Sequence, residues 1–314
     1  IREMVEGVPE VKMLAPFEIG MQIRDCDDKV KLVCSPYDET EIGSIKETLK
    51  KYNDANIVVL PKENADEDVL YTLGYTRMGI TEEYEIYKFV PDLGKYTVTQ
   101  FATVTELQSM IYIITDWEGH LIIVDGGWKE DAKGLLNLIM DHGGRVDAWI
   151  ITHPHPDHVG AFNGVYASGK VEIGTIYTVP MDYEIYKSKA NWWDVFEIYD
   201  EFVNLTTGSD NLVYLNEGDE IDLFGLKMEV FHSFDSEEMA EDTDPCNNGG
   251  MIFKLSAKHD SILFLADVGA AYSAKLLDKW GDKLKADYVQ MGHHGNGGMD
   301  ESVYRMIAPK VAFF

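Results

Sequence analysis

Short apolar runs and amphipathic stretches dominate the first ninety residues and predict a small α/β unit. The second of its two predicted helices ends before Gly74, and its last two predicted strands meet at a hinge at Gly79. In chain order the predicted elements are strand Lys29–Ser35, helix Glu39–Tyr52, strand Ala55–Pro61, helix Asp66–Leu73 and a strand pair within Tyr75–Val90. No catalytic constellation occurs in this part, which favours an accessory domain.

The run Pro91-Asp92-Leu93-Gly94 is a predicted linker, and the pattern changes after it. We therefore expect an accessory domain at residues 1–94 and a second domain at 95–314. Apolar periodicity in the second domain predicts helices at Lys129–His142 and Ala271–Trp280. The predicted strands are Tyr96–Ala102, Met110–Thr115, His120–Asp125, Ala148–Thr152, Met228–Phe231, Gly250–Leu255, Ser261–Ala266 and Tyr288–Met291. Sheets interrupted by helices predict α/β layering.

Composition narrows the range of partners. The 314 residues carry a formal net charge of −28, which disfavours nucleic acid because nonspecific binding to phosphates depends on Lys and Arg. The longest apolar runs, such as Leu121–Val124, are far shorter than the roughly 18–20 residues that span a bilayer, so no membrane span is expected. A cytoplasmic location is favoured. Export is left open, because the chain opens at Ile1 instead of Met and a signal peptide could have been removed. Three cysteines predict no disulfide framework.

The densest chemistry follows the predicted strand that ends at Thr152. His153 and His155 are two positions apart, so an extended backbone projects both to the same side, and Pro154 and Pro156 disfavour helix there. Asp157 and His158 then turn towards a neighbouring position. Imidazole and carboxylate donors suit Zn²⁺ and also Mn²⁺ or Fe²⁺, so this run predicts a metal site.

Three other strand ends supply further candidates. Asp267 follows an apolar strand as a carboxylate able to bridge two ions, and His293-His294-Gly295 follows another strand. Asp125, before Gly126-Gly127, is interpreted as a group that orients the histidine run, because metal-bound imidazoles usually need such partners. Taken alone, Asp267 would be interpreted as a helix cap or turn residue, and a single histidine as a structural one. Five of the nine histidines lie in this run or in the His293-His294 pair, which packing alone does not explain.

The order of these motifs resembles the metallo-β-lactamase superfamily, and within it the branch of the ComEC competence protein hydrolase domain and the teichoic acid phosphorylcholine esterases. The likeness covers Tyr96 to Phe314 and implies an αββα sandwich and a metal-dependent hydrolase with two ions, zinc first and manganese or iron as alternatives. The resemblance implies these roles: His153 and His155 hold the first ion, Asp157, His158 and His293 hold the second, Asp267 bridges, and Asp157 and His294 act in catalysis.

The chain also departs from the family pattern. Many members carry another metal-binding histidine about twenty residues before the bridging aspartate, where this chain has Cys246-Asn247-Asn248. Asn247, water or His232 are the alternatives for completing the first site. Asn296 also replaces the serine that usually follows the last motif.

The predicted reaction is hydrolysis of a phosphodiester or other ester in a small or cell-envelope-derived substrate. A lactonase, a thioesterase, an iron-dependent oxidoreductase and a non-catalytic metal-binding scaffold remain alternatives, because a fold does not fix a function. An aromatic-rich insertion precedes Asp267; it is read either as a helix packing its rings on the sheet or as a pocket wall able to bind a cationic head group. Its rings are Tyr177, Tyr183, Tyr186, Trp192, Trp193, Phe196 and Tyr199.

Overall fold

A computed structural model of the chain describes residues 11–16, 19, 30–34, 45–52, 54–90, 96–116 and 118–314. The chain divides into two compact units, Ile1–Thr97 and Val98–Phe314. The predicted linker at residues 91–94 and the first part of the predicted helix at 39–52 lie outside the described residues. Within the described part, no helix has the length and apolar character needed to cross a membrane.

The described part of the first unit is a five-stranded mixed sheet with two helices. Its strand order is β2-β1-β3-β5-β4. The elements are β1 Val11–Leu14, β2 Val30–Cys34, α1 Ile45–Lys51, β3 Ile57–Pro61, α2 Glu67–Thr72, β4 Tyr75–Ile80 and β5 Tyr84–Phe89. The hinge predicted at Gly79 is wrong: β4 runs through Gly79 with a register shift, and the chain turns after Ile80. The short strand β1, bound in parallel to β2 and β3, was not predicted from the sequence.

The second unit contains two six-stranded sheets. The first has the order β11-β10-β9-β8-β7-β6, and β8 to β11 pair in parallel. Its strands are β6 Tyr96–Gln100, β7 Tyr112–Asp116, β8 Leu121–Val124, β9 Arg145–Ile150, β10 Glu172–Thr178 and β11 Leu212–Tyr214. The helices around it are α3 Ala132–Asp141, α4 Pro156–Ala167, α5 Tyr183–Lys189 and α6 Phe196–Thr206.

The second sheet has the order β12-β13-β14-β15-β16-β17 and is antiparallel up to β15 and parallel after it. Its strands are β12 Glu220–Leu223, β13 Leu226–His232, β14 Ile252–Ser256, β15 Ser261–Phe264, β16 Tyr288–Gln290 and β17 Val311–Phe313. The helices of this half are α7 Ser236–Met239, α8 Pro245–Asn248, α9 Ser273–Trp280 and α10 Glu301–Ile307.

Aromatic contacts join the two sheets face to face. The Tyr112 ring of β7 makes edge contacts with Phe264 of β15 and Phe313 of β17, at centroid distances of 5.2 and 5.9 Å. Helices cover the other faces: α4 packs Phe162 against Trp149 of β9, and Trp280 of α9 packs against β13. The predicted α/β class with a sandwich of sheets between helices is confirmed.

Candidate metal centre

The histidine run lies where a parallel strand ends and a helix begins. Thr152 follows β9, and His155 is the N-cap of α4 with an extended backbone. Pro156 occupies the first helical position, where its missing N–H costs no hydrogen bond. The sequence interpretation that both prolines keep the run extended therefore holds only up to His155, because Asp157 and His158 already belong to the first turn of the helix.

His153 and His155 present one nitrogen each to the same place. The Nε2 atom of His153 lies 3.2 Å from Nδ1 of His155, and both side chains are buried. The ring of His153 also lies 4.0 Å, between centroids, from that of His158. The predicted first pair of ligands is thus brought together beside the second group.

The second group combines two carboxylates and two imidazoles. The donor atoms of Asp157, His158, Asp267 and His294 all lie within 4.8 Å of one another. Nε2 of His158 is 3.3 Å from the Asp267 carboxylate, and Nε2 of His294 is 3.1 Å from Asp157 and 3.4 Å from Asp267. Three segments far apart in the sequence therefore meet at one point.

The donor set fits a divalent cation. Nε2 of His158 and Oδ1 of Asp267 are buried and have no hydrogen-bond partner. A buried polar atom without a partner costs roughly 1–3 kcal/mol, so two of them facing one group indicate a ligand that satisfies both. Mixed imidazole and carboxylate donors are those that zinc, manganese and iron accept.

The protonation balance of the group supports the same conclusion. Burial alone would lower the pKa of His158, but the carboxylates of Asp267, Asp157 and Asp125 outweigh it and raise the pKa well above its ordinary value. Burial would raise the pKa of Asp267, yet neighbouring imidazoles, that of His158 foremost, hold it well below its ordinary value. Without an ion, the protonated imidazoles supply the positive charge beside these carboxylates. A cation supplies that charge and displaces the imidazole proton.

Asp125 is hydrogen-bonded to Thr152 and to His158 of the histidine run. Its carboxylate accepts hydrogen bonds from the Thr152 backbone N–H at 2.7 Å, from the Thr152 hydroxyl at 2.8 Å and from His158 Nδ1 at 2.7 Å. Because a carboxylate only accepts, Nδ1 of His158 carries a hydrogen, so Nε2 is the nitrogen that would lose its proton and offer a lone pair to a cation. The orienting role predicted for Asp125 is confirmed by these contacts.

Glycines allow the strand end and the helix to approach closely. A Cβ at Gly160 would lie 2.6 Å from the Lys129 backbone nitrogen and 2.9 Å from the Gly127 carbonyl oxygen. A Cβ at Gly126 would lie 2.6 Å from the Phe162 backbone nitrogen. The Gly126-Gly127 pair thus lets the turn that carries Asp125 lie directly on α4.

The two adjacent histidines after β16 are placed differently. Both have left-handed backbone, with φ of 50° at His293 and 54° at His294. The His294 ring is turned into the group, whereas His293 is 35% exposed with its Nε2 atom 3.8 Å from Asp267. His293 thus lies at the edge of the group and its ligand role stays a prediction, while His294, predicted as a catalytic residue, has its Nε2 beside both carboxylates.

The alternatives for the missing family histidine also have definite positions. His232 packs against the Tyr272 ring and its Nε2 lies 2.7 Å from the Asn248 carbonyl oxygen, so it is occupied by structural contacts. Asn247 is buried, donates from its amide to Asp244 at 3.0 Å, and leaves its Oδ1 without a partner. Asn247 therefore keeps a buried oxygen that could serve as a ligand, whereas Nε2 of His232 is already used by Asn248.

Sequence reasoning missed Asp194, which lies in the turn between α5 and α6. Its carboxylate is 2.5 Å from Nε2 of His155, and its side chain is fully buried. The rings of the insertion mostly belong to the core, as with Tyr186 and Tyr199, but Trp192 is 91% and Trp193 44% exposed in the same turn. The only feature of the sequence that could have indicated Asp194 is a carboxylate placed within an aromatic stretch.

Among solved structures, the chain is similar to the metallo-beta-lactamase fold protein YhfI from Bacillus subtilis, with 12% identity, coverage of 70% of this chain and 87% of that one, and a TM-score of 0.43. It is also similar to MEM-A1, a subclass B3 metallo-beta-lactamase from a soil metagenome library, with 14% identity, coverage of 59% and 73%, and a TM-score of 0.40. A search of curated protein sequences found no match.

The family profile described as the metallo-beta-lactamase superfamily matches residues 104–296, more than half of the chain. The matched range includes the histidine run, Asp267 and the His293-His294 pair. The chain therefore belongs to the metallo-beta-lactamase superfamily.

Proposed function

We propose that this chain is a metal-dependent hydrolase of phosphodiester or other ester bonds, acting on a small or cell-envelope-derived substrate. The observation that carries the proposal is the group of four donor atoms within 4.8 Å, two of whose residues bury polar atoms without partners. Members of the superfamily are mostly hydrolases and typically bind zinc. We extend this to two ions, with manganese or iron as alternatives.

In this proposal His153 and His155, helped by Asn247, hold one ion. Asp157, His158 and His294 would hold the other, and the Asp267 carboxylate would serve both. When bound, such ions polarise the scissile bond and make hydroxide available near neutral pH by lowering the pKa of water.

The side chains of the centre then have separate tasks. Asp157 is the more exposed carboxylate, at 18% against 2% for Asp267, so it is the one that can orient the attacking water and accept its proton. Burial lowers the pKa of His294, but its bonds to Asp157 and Asp267 outweigh this and raise the pKa to about 9. Once Nε2 holds an ion, His294 can donate to the oxygen on which negative charge develops only from Nδ1, so the ligand role and the donor role of Nε2 are alternatives.

The turn with Trp192 and Trp193 is the proposed recognition surface. It is tied to the centre through Asp194, so a substrate reaching the metal ligands would pass beside two exposed indole rings. Aromatic faces attract cationic head groups by about 0.5–2 kcal/mol. Together with the motif order, this favours the branch containing phosphorylcholine esterases and the ComEC hydrolase domain.

Metal analysis and ester cleavage test the proposal together. We expect about two equivalents of zinc or manganese in the purified chain, and cleavage of bis-p-nitrophenyl phosphate or p-nitrophenyl phosphorylcholine that a chelator abolishes and metal restores. Bound iron with oxygen consumption would instead favour an oxidoreductase. Metal without cleavage of phosphate esters, lactones or thioesters would leave a binding scaffold, and no metal retained or regained would refute the centre itself.

A further inference from the structure

The two ring nitrogens of His155 face different surroundings. Nδ1 lies 3.2 Å from His153 Nε2, at the candidate metal pair. Nε2 lies on the other side of the ring, 2.5 Å from Oδ1 of Asp194. The side chain of His155 is 8% exposed, so the protein alone determines which nitrogen carries the hydrogen.

Asp194 is itself held in place by its neighbours. Its second oxygen accepts the Asn191 backbone N–H at 2.5 Å, and Oδ1 also accepts the Tyr186 hydroxyl at 3.3 Å. Burial raises the pKa of the Cys246 thiol, which contacts both His155 and Tyr186. The carboxylate is thus enclosed and aimed, and its orientation does not depend on solvent.

The bond to Asp194 determines which nitrogen of the His155 ring carries the hydrogen. A carboxylate accepts hydrogen bonds and donates none, so the bond to Asp194 places the hydrogen of neutral His155 on Nε2. Nδ1 then faces His153 with its lone pair, as a metal ligand requires. A partner of this kind also raises the basicity of the imidazole.

We propose that Asp194 is a positioning residue that fixes the tautomer and orientation of His155 and thereby sets the metal affinity of the His153–His155 pair. This inference rests on the proposed metal centre. Because Asp194 belongs to the turn that carries Trp192, the same bond tethers the proposed recognition surface to the metal ligands.

A direct metal site is the rival interpretation, because donor atoms of His155, Asp194 and Cys246 also lie within 4.8 Å of one another. His155 and Asp194 already have partners in the described structure, and the Cys246 thiol contacts His155 and Tyr186. His158 and Asp267, in contrast, keep buried atoms without partners. The satisfied bonds therefore favour positioning over ligation.

The experiment compares the intact wild-type chain with Asp194→Asn, Asp194→Glu and Glu197→Gln. Glu197 is an exposed acid of the same insertion, so its substitution removes an equal charge without touching His155. Zinc affinity is measured by competition with a chromophoric chelator and the cobalt form by its absorption spectrum. The His155 tautomer is measured by imidazole nitrogen NMR in the metal-free protein, at a pH high enough for the ring to be neutral, because its neighbours raise its pKa.

We expect Asp194→Asn to weaken one zinc equivalent by about 10–100-fold and leave the other unchanged. The Nε2–H tautomer of His155 should lose its dominance in that variant. Asp194→Glu, which keeps a carboxylate, should recover part of the affinity, and Glu197→Gln should behave as wild type.

Three results would contradict the inference. Wild-type zinc affinity and an unchanged tautomer in Asp194→Asn would remove the positioning role while leaving the metal centre intact. A thiolate-to-cobalt charge-transfer band that Cys246→Ser abolishes would show direct ligation instead. No zinc bound by the wild-type chain would refute the proposed function on which the inference rests.

Discussion

Replacing Asp125 with asparagine should disturb the metal centre through a single hydrogen-bond conflict. The amide keeps the shape of the side chain, and its oxygen can still accept the Thr152 N–H at the place where Oδ1 is now 2.7 Å away. Its NH2 group then faces the Thr152 hydroxyl and His158 Nδ1, which both donate to Oδ2 in the wild type. The reverse orientation sets the NH2 group against the Thr152 N–H, a donor against a donor.

The magnitude follows from the bonds that change. Two hydrogen bonds to a charged acceptor, each worth about 1.5 kcal/mol at the lower end of the range, put the loss of unfolding free energy at about 3 kcal/mol. For a unit of the size of Val98–Phe314, this corresponds to a melting temperature about 6–12 °C lower. If His158 instead shifts its hydrogen to Nε2, that hydrogen replaces the lone pair at the metal group, and metal affinity should fall about 10–100-fold.

Asp116→Asn is a matched control for this change. Asp116 is also a buried carboxylate that holds an imidazole, 2.7 Å from His120 Nδ1, and it accepts the backbone N–H groups of Gly119 and His120 at 2.8 and 2.9 Å. It takes no part in the group of Asp157 and His158 but belongs to a separate group with Glu118 and His120, so the comparison concerns the zinc of the Asp157 group. Melting by calorimetry in the presence of a chelator and zinc content by elemental analysis should show both variants destabilised and only Asp125→Asn depleted of metal.

The reasoning would be refuted by an Asp125→Asn protein that melts within about 2 °C of wild type and binds zinc with unchanged affinity. It would also fail if both variants lost metal equally, because general destabilisation would then explain the effect. Equal loss of stability with unequal loss of metal is the expected pattern.

Two further changes test the packing and the recognition surface. Gly160→Ala should lower the unfolding free energy by about 1–3 kcal/mol in urea denaturation, because its Cβ would lie 2.6 Å from the Lys129 backbone nitrogen. Gly134→Ala is the control: its Cβ would meet only the tip of the Phe101 ring at 3.3 Å, and the unfolding free energy should change by less than about 1 kcal/mol. Alanine at Trp192 and Trp193 should raise KM for p-nitrophenyl phosphorylcholine several-fold and leave the zinc content unchanged; identical kinetics for this ester in the double variant would remove the cation–π proposal.

The sequence predicted the strands of the second unit well where apolar runs were bounded by turns, as at β8 and β15. Short-range spacing also placed His153 and His155 together, because two residues apart on extended chain share a side. Prediction failed where the decisive property was a backbone angle or a distant contact. The sequence does not reveal the left-handed backbone at His293 and His294, and Asp194 meets a histidine 39 positions earlier through a turn with no repeating pattern.

The two ligand groups obtain their orienting carboxylates from different parts of the fold. His158 is held by Asp125, which follows β8 and lies on the same sheet as the strand before the histidine run. His155 is held by Asp194, in a turn between two helices of the insertion. Because an orienting partner tunes the affinity of its imidazole, changes in the insertion can adjust the first pair while the sheet keeps the second group fixed. The same turn exposes Trp192, so alterations that reshape recognition of the substrate would act on metal affinity at the same time.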